Sequence, residues 1–168
     1  SLSNVDNSSV AVGDIDNDND IDIVATSRNF PPDPTVILFN DGAGDFTDSM
    51  KIFPGSSYGG SALYDFNGDN WLDILFFRGV PGGMLRIYPN IGLPSLFLDA
   101  TSYTIGPYPV NSSGGTVIDA NRDGNIDIFL NNYVNGYSLL LWGPSFSTCD
   151  SFPVSMDHHG IFREPGNI

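Results

Sequence analysis

Asp14-Ile15-Asp16-Asn17-Asp18-Asn19-Asp20-Ile21-Asp22 returns twice in altered form, as Asp65-Phe66-Asn67-Gly68-Asp69-Asn70-Trp71-Leu72-Asp73 and as Asp119-Ala120-Asn121-Arg122-Asp123-Gly124-Asn125-Ile126-Asp127. The first Asp of each copy stands at 14, 65 and 119, spacings of 51 and 54 residues, so three units fill nearly all of the 168-residue chain. Repeats of this period are supersecondary units that cannot bury their apolar faces alone and must stack on one another.

The units agree outside the acidic loop. Directly after it comes an apolar run, Ile21 to Thr26, Leu72 to Phe77 and Ile126 to Leu130, which reads as a strand buried on both faces. Before it stand Val10 to Val12, Ala62 to Tyr64 and Thr116 to Ile118 as a first strand. A third follows at Thr35 to Phe39, Met84 to Tyr88 and Tyr137 to Trp142, each ending in a turn signal. A weaker fourth is led by Phe46, Phe97 or Phe146. The expected architecture is all-β: three four-stranded antiparallel meanders, each with its acidic loop between strands one and two. They form blades of a β-propeller at approximately residues 7–57, 58–110 and 111–162.

Composition points the same way. Of 20 carboxylates 19 are Asp, Gln is absent and Lys occurs once, so strong helix formers are scarce beside 19 Gly and 12 Pro. The net charge of -14 opposes phosphate backbones and anionic lipid surfaces, which removes nucleic acid and direct membrane association as partners. Cys149 is the single cysteine, so no internal disulfide and no thiolate metal cluster can form.

Five Asp within nine residues repel one another unless a cation sits among them. Side-chain oxygens at loop positions 1, 3, 5 and 9, with the carbonyl of position 7, can converge on a hard cation. The candidate ligands are Asp14, Asp16, Asp18, the Asp20 carbonyl and Asp22; Asp65, Asn67, Asp69, the Trp71 carbonyl and Asp73; and Asp119, Asn121, Asp123, the Asn125 carbonyl and Asp127. Five ligands plus waters suit Ca²⁺ better than the strict octahedron of Mg²⁺, so three Ca²⁺ sites are expected, one per blade. Position 6 must turn sharply, and Asn19, Asn70 and Gly124 tolerate left-handed backbone. An EF-hand is excluded because its position 12 carboxylate is replaced by Ala25, Phe76 and Leu130. Thrombospondin type 3 arrays repeat faster and carry paired cysteines.

The unit resembles the FG-GAP/VCBS repeat of β-propellers, found in integrin α-subunit headpieces, fungal propeller lectins and many bacterial and protist surface proteins. The second copy is nearest: Tyr58-Gly59-Gly60-Ser61 stands for the Phe-Gly, Asp65 to Asp69 matches the calcium loop, and Gly79-Val80-Pro81 stands for Gly-Ala-Pro. The first and third copies keep the loop but carry Thr26-Ser27-Arg28 and Asn131-Asn132-Tyr133 in the last position, as in the looser VCBS variant. The resemblance implies a calcium-binding module for extracellular protein–protein or adhesion contacts. A carbohydrate-binding propeller lectin and an accessory propeller domain of a larger secreted enzyme are its alternatives.

No nucleophile motif accompanies His158 and His159, and Asp residues held by Ca²⁺ are poor general acids, so no catalytic residue is expected. Tyr58, Trp71, Tyr103, Tyr108, Tyr133, Tyr137 and Trp142 could stack on a sugar, but wedge packing between blades accounts for rings at such places. Asn7-Ser8-Ser9 and Asn111-Ser112-Ser113 are glycosylation acceptors ahead of strand one, a loop position open to solvent. With the calcium loops and the absence of paired thiols they favour a secreted or cell-surface location. Three blades leave two apolar faces open. Since the chain starts at Ser1 without Met and stops at Ile168, the expectation is a piece of a longer propeller or, failing that, arcs that close a ring with other chains.

Overall fold

The computed structural model describes residues 7–27, 35–52, 60–77, 85–93, 96–97, 103–105, 112–132 and 137–153. Among these residues twelve strands form three four-stranded antiparallel sheets. The first holds β1 (Asn7–Gly13), β2 (Asp22–Ser27), β3 (Thr35–Phe39) and β4 (Asp48–Ile52). The middle sheet holds β5 (Ser61–Tyr64), β6 (Asp73–Phe76), β7 (Leu85–Tyr88) and β8 (Tyr103–Ile105). The third holds β9 (Ser112–Ile118), β10 (Asp127–Asn132), β11 (Tyr137–Trp142) and β12 (Thr148–Pro153). Each sheet is a meander in chain order, and its acidic loop joins the first two strands. There is no helix among the described residues, and hence none long and apolar enough to cross a membrane.

Strand pairing decides which side chains share a face, and the two cores follow from it. On the first sheet Ala11, Val24 and Ile37 lie side by side across the strands, as do Leu63, Ile74 and Tyr88 on the middle sheet. These two rows pack together around Phe76, Ile15, Leu96 and Phe97. The opposite face of the middle sheet aligns Ala62, Leu75 and Ile87, which pack against Val117, Ile128 and Leu141 of the third sheet. β1 also adjoins β5, and β5 adjoins β9, so the first strands of the three sheets are neighbours, an arrangement like that of successive propeller blades.

Several boundaries differ from the sequence reading. Burial on both faces holds for β6, whose four residues are all buried, but not for β10, where Phe129 points outward and is 36% exposed. In β2 the successive residues Val24, Ala25 and Thr26 are buried, so burial on both faces extends to the first sheet as well. The fourth strands begin later than expected, and Phe46, Phe97 and Phe146 belong to the turns before them. Phe97 and Phe146 are buried there as plugs at the sheet ends, Phe146 with a left-handed φ of 52°. Asn7 is paired with Ser27 as the first residue of β1, so this acceptor sits in a strand rather than a loop. Tyr58, Gly59, Gly79 to Pro81, Tyr108, Asn111, Tyr133, His158 and His159 lie outside the described residues.

Position in the stack sets the energetics. Ile74 is fully buried between two sheets, whereas Ile118 is 48% exposed on the outer face of the third. Ile74→Ala is expected to cost about 2–5 kcal/mol, and Ile118→Ala under about 1 kcal/mol, in denaturant unfolding of the isolated chain. Equal losses would show that the outer faces are as well covered as the middle sheet.

Candidate metal centres

Each acidic loop is wound by its own carboxylates. The position 1 Asp accepts from the backbone N–H groups at positions 5 and 6: Asp14 from Asp18 at 3.1 Å and Asn19 at 3.0 Å, Asp65 from Asp69 at 3.1 Å and Asn70 at 2.8 Å, Asp119 from Asp123 at 3.1 Å and Gly124 at 3.0 Å. The position 5 Asp then accepts from the N–H of position 7, linking Asp18 to Asp20, Asp69 to Trp71 and Asp123 to Asn125. Position 6 is left-handed in all three loops, with φ of 75° at Asn19, 68° at Asn70 and 87° at Gly124, as the sequence requires. Position 4 is left-handed as well, at Asn17, Gly68 and Arg122, which the residue types alone did not reveal because Arg rarely adopts such a backbone.

The position 9 Asp has a part the sequence reading missed. Asp22, Asp73 and Asp127 are fully buried, and each spends one oxygen on the N–H of loop position 2 and the other on the N–H just after strand three. Asp73 binds Phe66 at 3.0 Å and Asn90 at 2.8 Å; Asp22 binds Ile15 and Asn40; Asp127 binds Ala120 and Gly143. These carboxylates therefore staple the start of the loop to the β3, β7 and β11 ends of their sheets. The Asp20 side chain turns away from its loop and lies over Gly42, where an added Cβ would stand 2.6 Å from Oδ2.

Oxygen atoms converge most clearly in the first loop. One carboxylate oxygen from each of Asp14, Asp16 and Asp18 lies within 4.8 Å of the others. Asp16 Oδ1 is buried without a hydrogen-bond partner, and its carboxyl titrates above the ordinary range, first because burial disfavours its charge and then because Asp22, Asp18 and Asp14 repel it. The second and third loops relieve the same crowding with an amide at position 3. Asn67 Nδ2 donates to Asp69 at 3.0 Å, and Asn121 Nδ2 donates to Asp123 at 2.9 Å. Asp123 is held below the ordinary range by the Asn125 backbone N–H and the Asn121 amide. An all-oxygen set with an orphaned buried carboxylate oxygen fits a hard divalent cation, held in the first loop by Asp14, Asp16 and Asp18.

Loops of this winding, repeated between strands one and two of stacked meanders, agree with a comparison against protein families, in which the FG-GAP-like repeat matches residues 14–76 and again 65–130. The chain belongs to the FG-GAP-like repeat family. Each FG-GAP match opens on the first Asp of one loop and ends in strand two of the next sheet, so the matched stretch straddles the junction between sheets. No curated protein matches the chain.

The described aromatic residues of this FG-GAP chain differ in their surroundings. Trp71 leans on the core between the first and middle sheets and closes over Gly92, and Trp142 Nε1 donates to Asp150 at 3.3 Å. Tyr137 is exposed at its strand end. Beside the second and third loops a cleft of about 150 Å³ is lined by Tyr64, Asp65, Phe66, Asn125, Pro144 and Phe146. Phe66 meets both Tyr64 and Phe146 edge to face, with ring centroids 5.4 and 6.3 Å apart.

Burial raises the Asp73 carboxyl to about 6, against the hydrogen bonds from Asn90 and Phe66 and assisted by repulsion from Asp69 and Asp65. A folded-state value above the unfolded one means that protonated Asp73 stabilises the fold below about pH 4, and that this contribution is lost as pH rises through about 6. In chelator the thermal midpoint should therefore fall between about pH 4 and 7, and Asp73→Asn should flatten that slope. Slopes that are identical in the two proteins would remove Asp73 as the cause.

Proposed function

We propose that the chain is a calcium-stabilised, non-catalytic propeller module that presents its loops to a protein partner outside the cell. The observation carrying this reading is the convergence of Asp14, Asp16 and Asp18 around a buried, partnerless oxygen, in a loop that the chain builds three times. In the second and third loops Asp65, Asn67 and Asp69, and Asp119, Asn121 and Asp123, are wound by equivalent hydrogen bonds and take the same ligand roles. The carbonyls of Asp20, Trp71 and Asn125 would complete each cage, with Asp22, Asp73 and Asp127 at its floor. No acid–base role is assigned to the loop carboxylates, because the position 1 and position 5 Asp residues accept from the backbone N–H groups that wind the loops. A surface rich in such loops needs millimolar Ca²⁺, which favours an extracellular or lumenal setting. A glycan ligand is the lesser reading, since the ring lining the cleft at Phe66 is already engaged edge to face by its neighbours.

Calorimetry of the chelated chain should find three Ca²⁺ per molecule, and two for Asp65→Ala; at a hundred times the dissociation constant each site would add about 2.7 kcal/mol. Zero binding with unchanged melting in chelator would overturn the reading. Asp16→Asn makes a sharper test, because it removes repulsion and a ligand together. The variant should melt higher than the wild type in chelator and lower in saturating Ca²⁺, whereas a merely solvated acidic turn would change in the same direction in both.

A further inference from the structure

The two junctions between neighbouring sheets are linked differently. At the first, Ile15, loop position 2, is fully buried and its backbone is held at both ends: the N–H donates to Asp22 at 2.8 Å and the carbonyl accepts from Asn90 Nδ2 at 2.8 Å. Asn90 belongs to the middle sheet. Its Oδ1 accepts from Gly92, which fixes the side chain, and its own N–H donates to Asp73, whose other oxygen accepts from Phe66. Asp22, Ile15, Asn90 and Asp73 are all fully buried, so an unbroken hydrogen-bonded path runs through the interior from the floor of the first loop to the floor of the second.

This path touches the first loop at a sensitive place. The carbonyl that Asn90 holds is part of the peptide leading into Asp16, so the middle sheet fixes the plane from which Asp16 enters its cluster with Asp14 and Asp18. A second link crosses at the surface, where Asn17 Nδ2, loop position 4, donates to the Asn70 carbonyl at 3.2 Å. Asn70 precedes Trp71, whose carbonyl is the position 7 candidate ligand of the second loop. Neither link has a counterpart at the second junction. Gly143 stands in the place of Asn90, its N–H on Asp127 as that of Asn90 is on Asp73, and Gly68 stands in the place of Asn17. Glycine has no side-chain amide to send across. The second and third loops instead flank the cleft lined by Asp65, Phe66, Asn125 and Phe146.

We infer that the first and second loops form one coupled pair of cation sites, with Asn90 as the positioning residue between them, and that the third loop is uncoupled from the second. The inference rests on the calcium reading above. An ion that fixes the second loop holds Asp73, and through Asn90 the Ile15 peptide; it also holds the Asn70 carbonyl against Asn17. The first loop then has less left to fix when its own ion arrives, and by linkage each ion strengthens the other's binding by the same factor. Repulsion between two ions opposes this at both junctions, so the difference between the junctions isolates the links.

NMR titration of the isotope-labelled full chain with CaCl₂ reads each loop through its own amide resonances, in about 0.15 M salt where the Debye length is about 8 Å. Asp69→Asn takes one charge from the second loop but keeps an acceptor for the Trp71 N–H; it should weaken Ca²⁺ binding at residues 14–22 at least about fivefold. Asp123→Asn makes the matched change across the unlinked junction and should weaken binding at residues 65–73 less than about twofold. Asn90→Gly gives the middle sheet the residue of the third, and Asn17→Gly removes the surface link at a left-handed position that glycine adopts freely. Each should lower the first factor toward the second. Equal factors at the two junctions would overturn the inference and leave the calcium reading in place. A first factor that survives in folded Asn90→Gly, or in Asn17→Gly where Asn90→Gly does not fold, would do the same. Loop resonances that do not respond to Ca²⁺ would overturn both.

Discussion

Asp22, Asp73 and Asp127 hold the architecture together from inside. A buried carboxylate that found fewer than two donors would be costly, and each of these finds two backbone N–H groups that strand pairing leaves free. The loop can then begin only where strand three ends. That single tie sets the width of the sheet at its loop edge and aligns the remaining Asp residues along the inside of the curl. It also carries the junction between sheets, since Asn90 offers its N–H to Asp73 and its side-chain amide to Ile15.

The cost of this arrangement is charge held close together. Asp73 sits among Asp65 and Asp69, and Asp16 among Asp14, Asp18 and Asp22, and both titrate upward as a result of burial and repulsion together. The second and third loops answer with an amide at position 3, while the first keeps a third carboxylate and one oxygen without a donor. The three loops are thus alike in winding but differ in how closely their carboxylates crowd. Their backbone geometry is imposed by the N–H groups that wrap the position 1 Asp.

Packing between sheets is asymmetric by construction. Each sheet offers aliphatic rows on two faces that differ by one residue of register, and at both junctions one face meets the alternate face of its neighbour. Small departures are absorbed locally. At the first junction the amide of Asn90 makes the polar link, and at the second, where Gly143 replaces that Asn, the Phe66 and Phe146 rings meet instead. Gly143 is confined to glycine because any Cβ there would fall on the Ile126 carbonyl.

The sequence by itself determined the repeat, the order of strands around each acidic loop and the left-handed turn at position 6, because periodicity and residue type act locally along the chain. It also located the carboxylates that crowd in the first loop. Only the tertiary structure showed the structural part of position 9, whose two oxygens accept from N–H groups 7 and up to 18 residues away. Likewise the strand-two runs look equally apolar in all three copies, but β2 and β6 bury consecutive residues on both faces whereas β10 leaves Phe129 exposed. Phe97 and Phe146 read as strand residues for the same reason. Their burial comes from plugging the ends of sheets, a constraint set by packing in three dimensions that no local pattern carries.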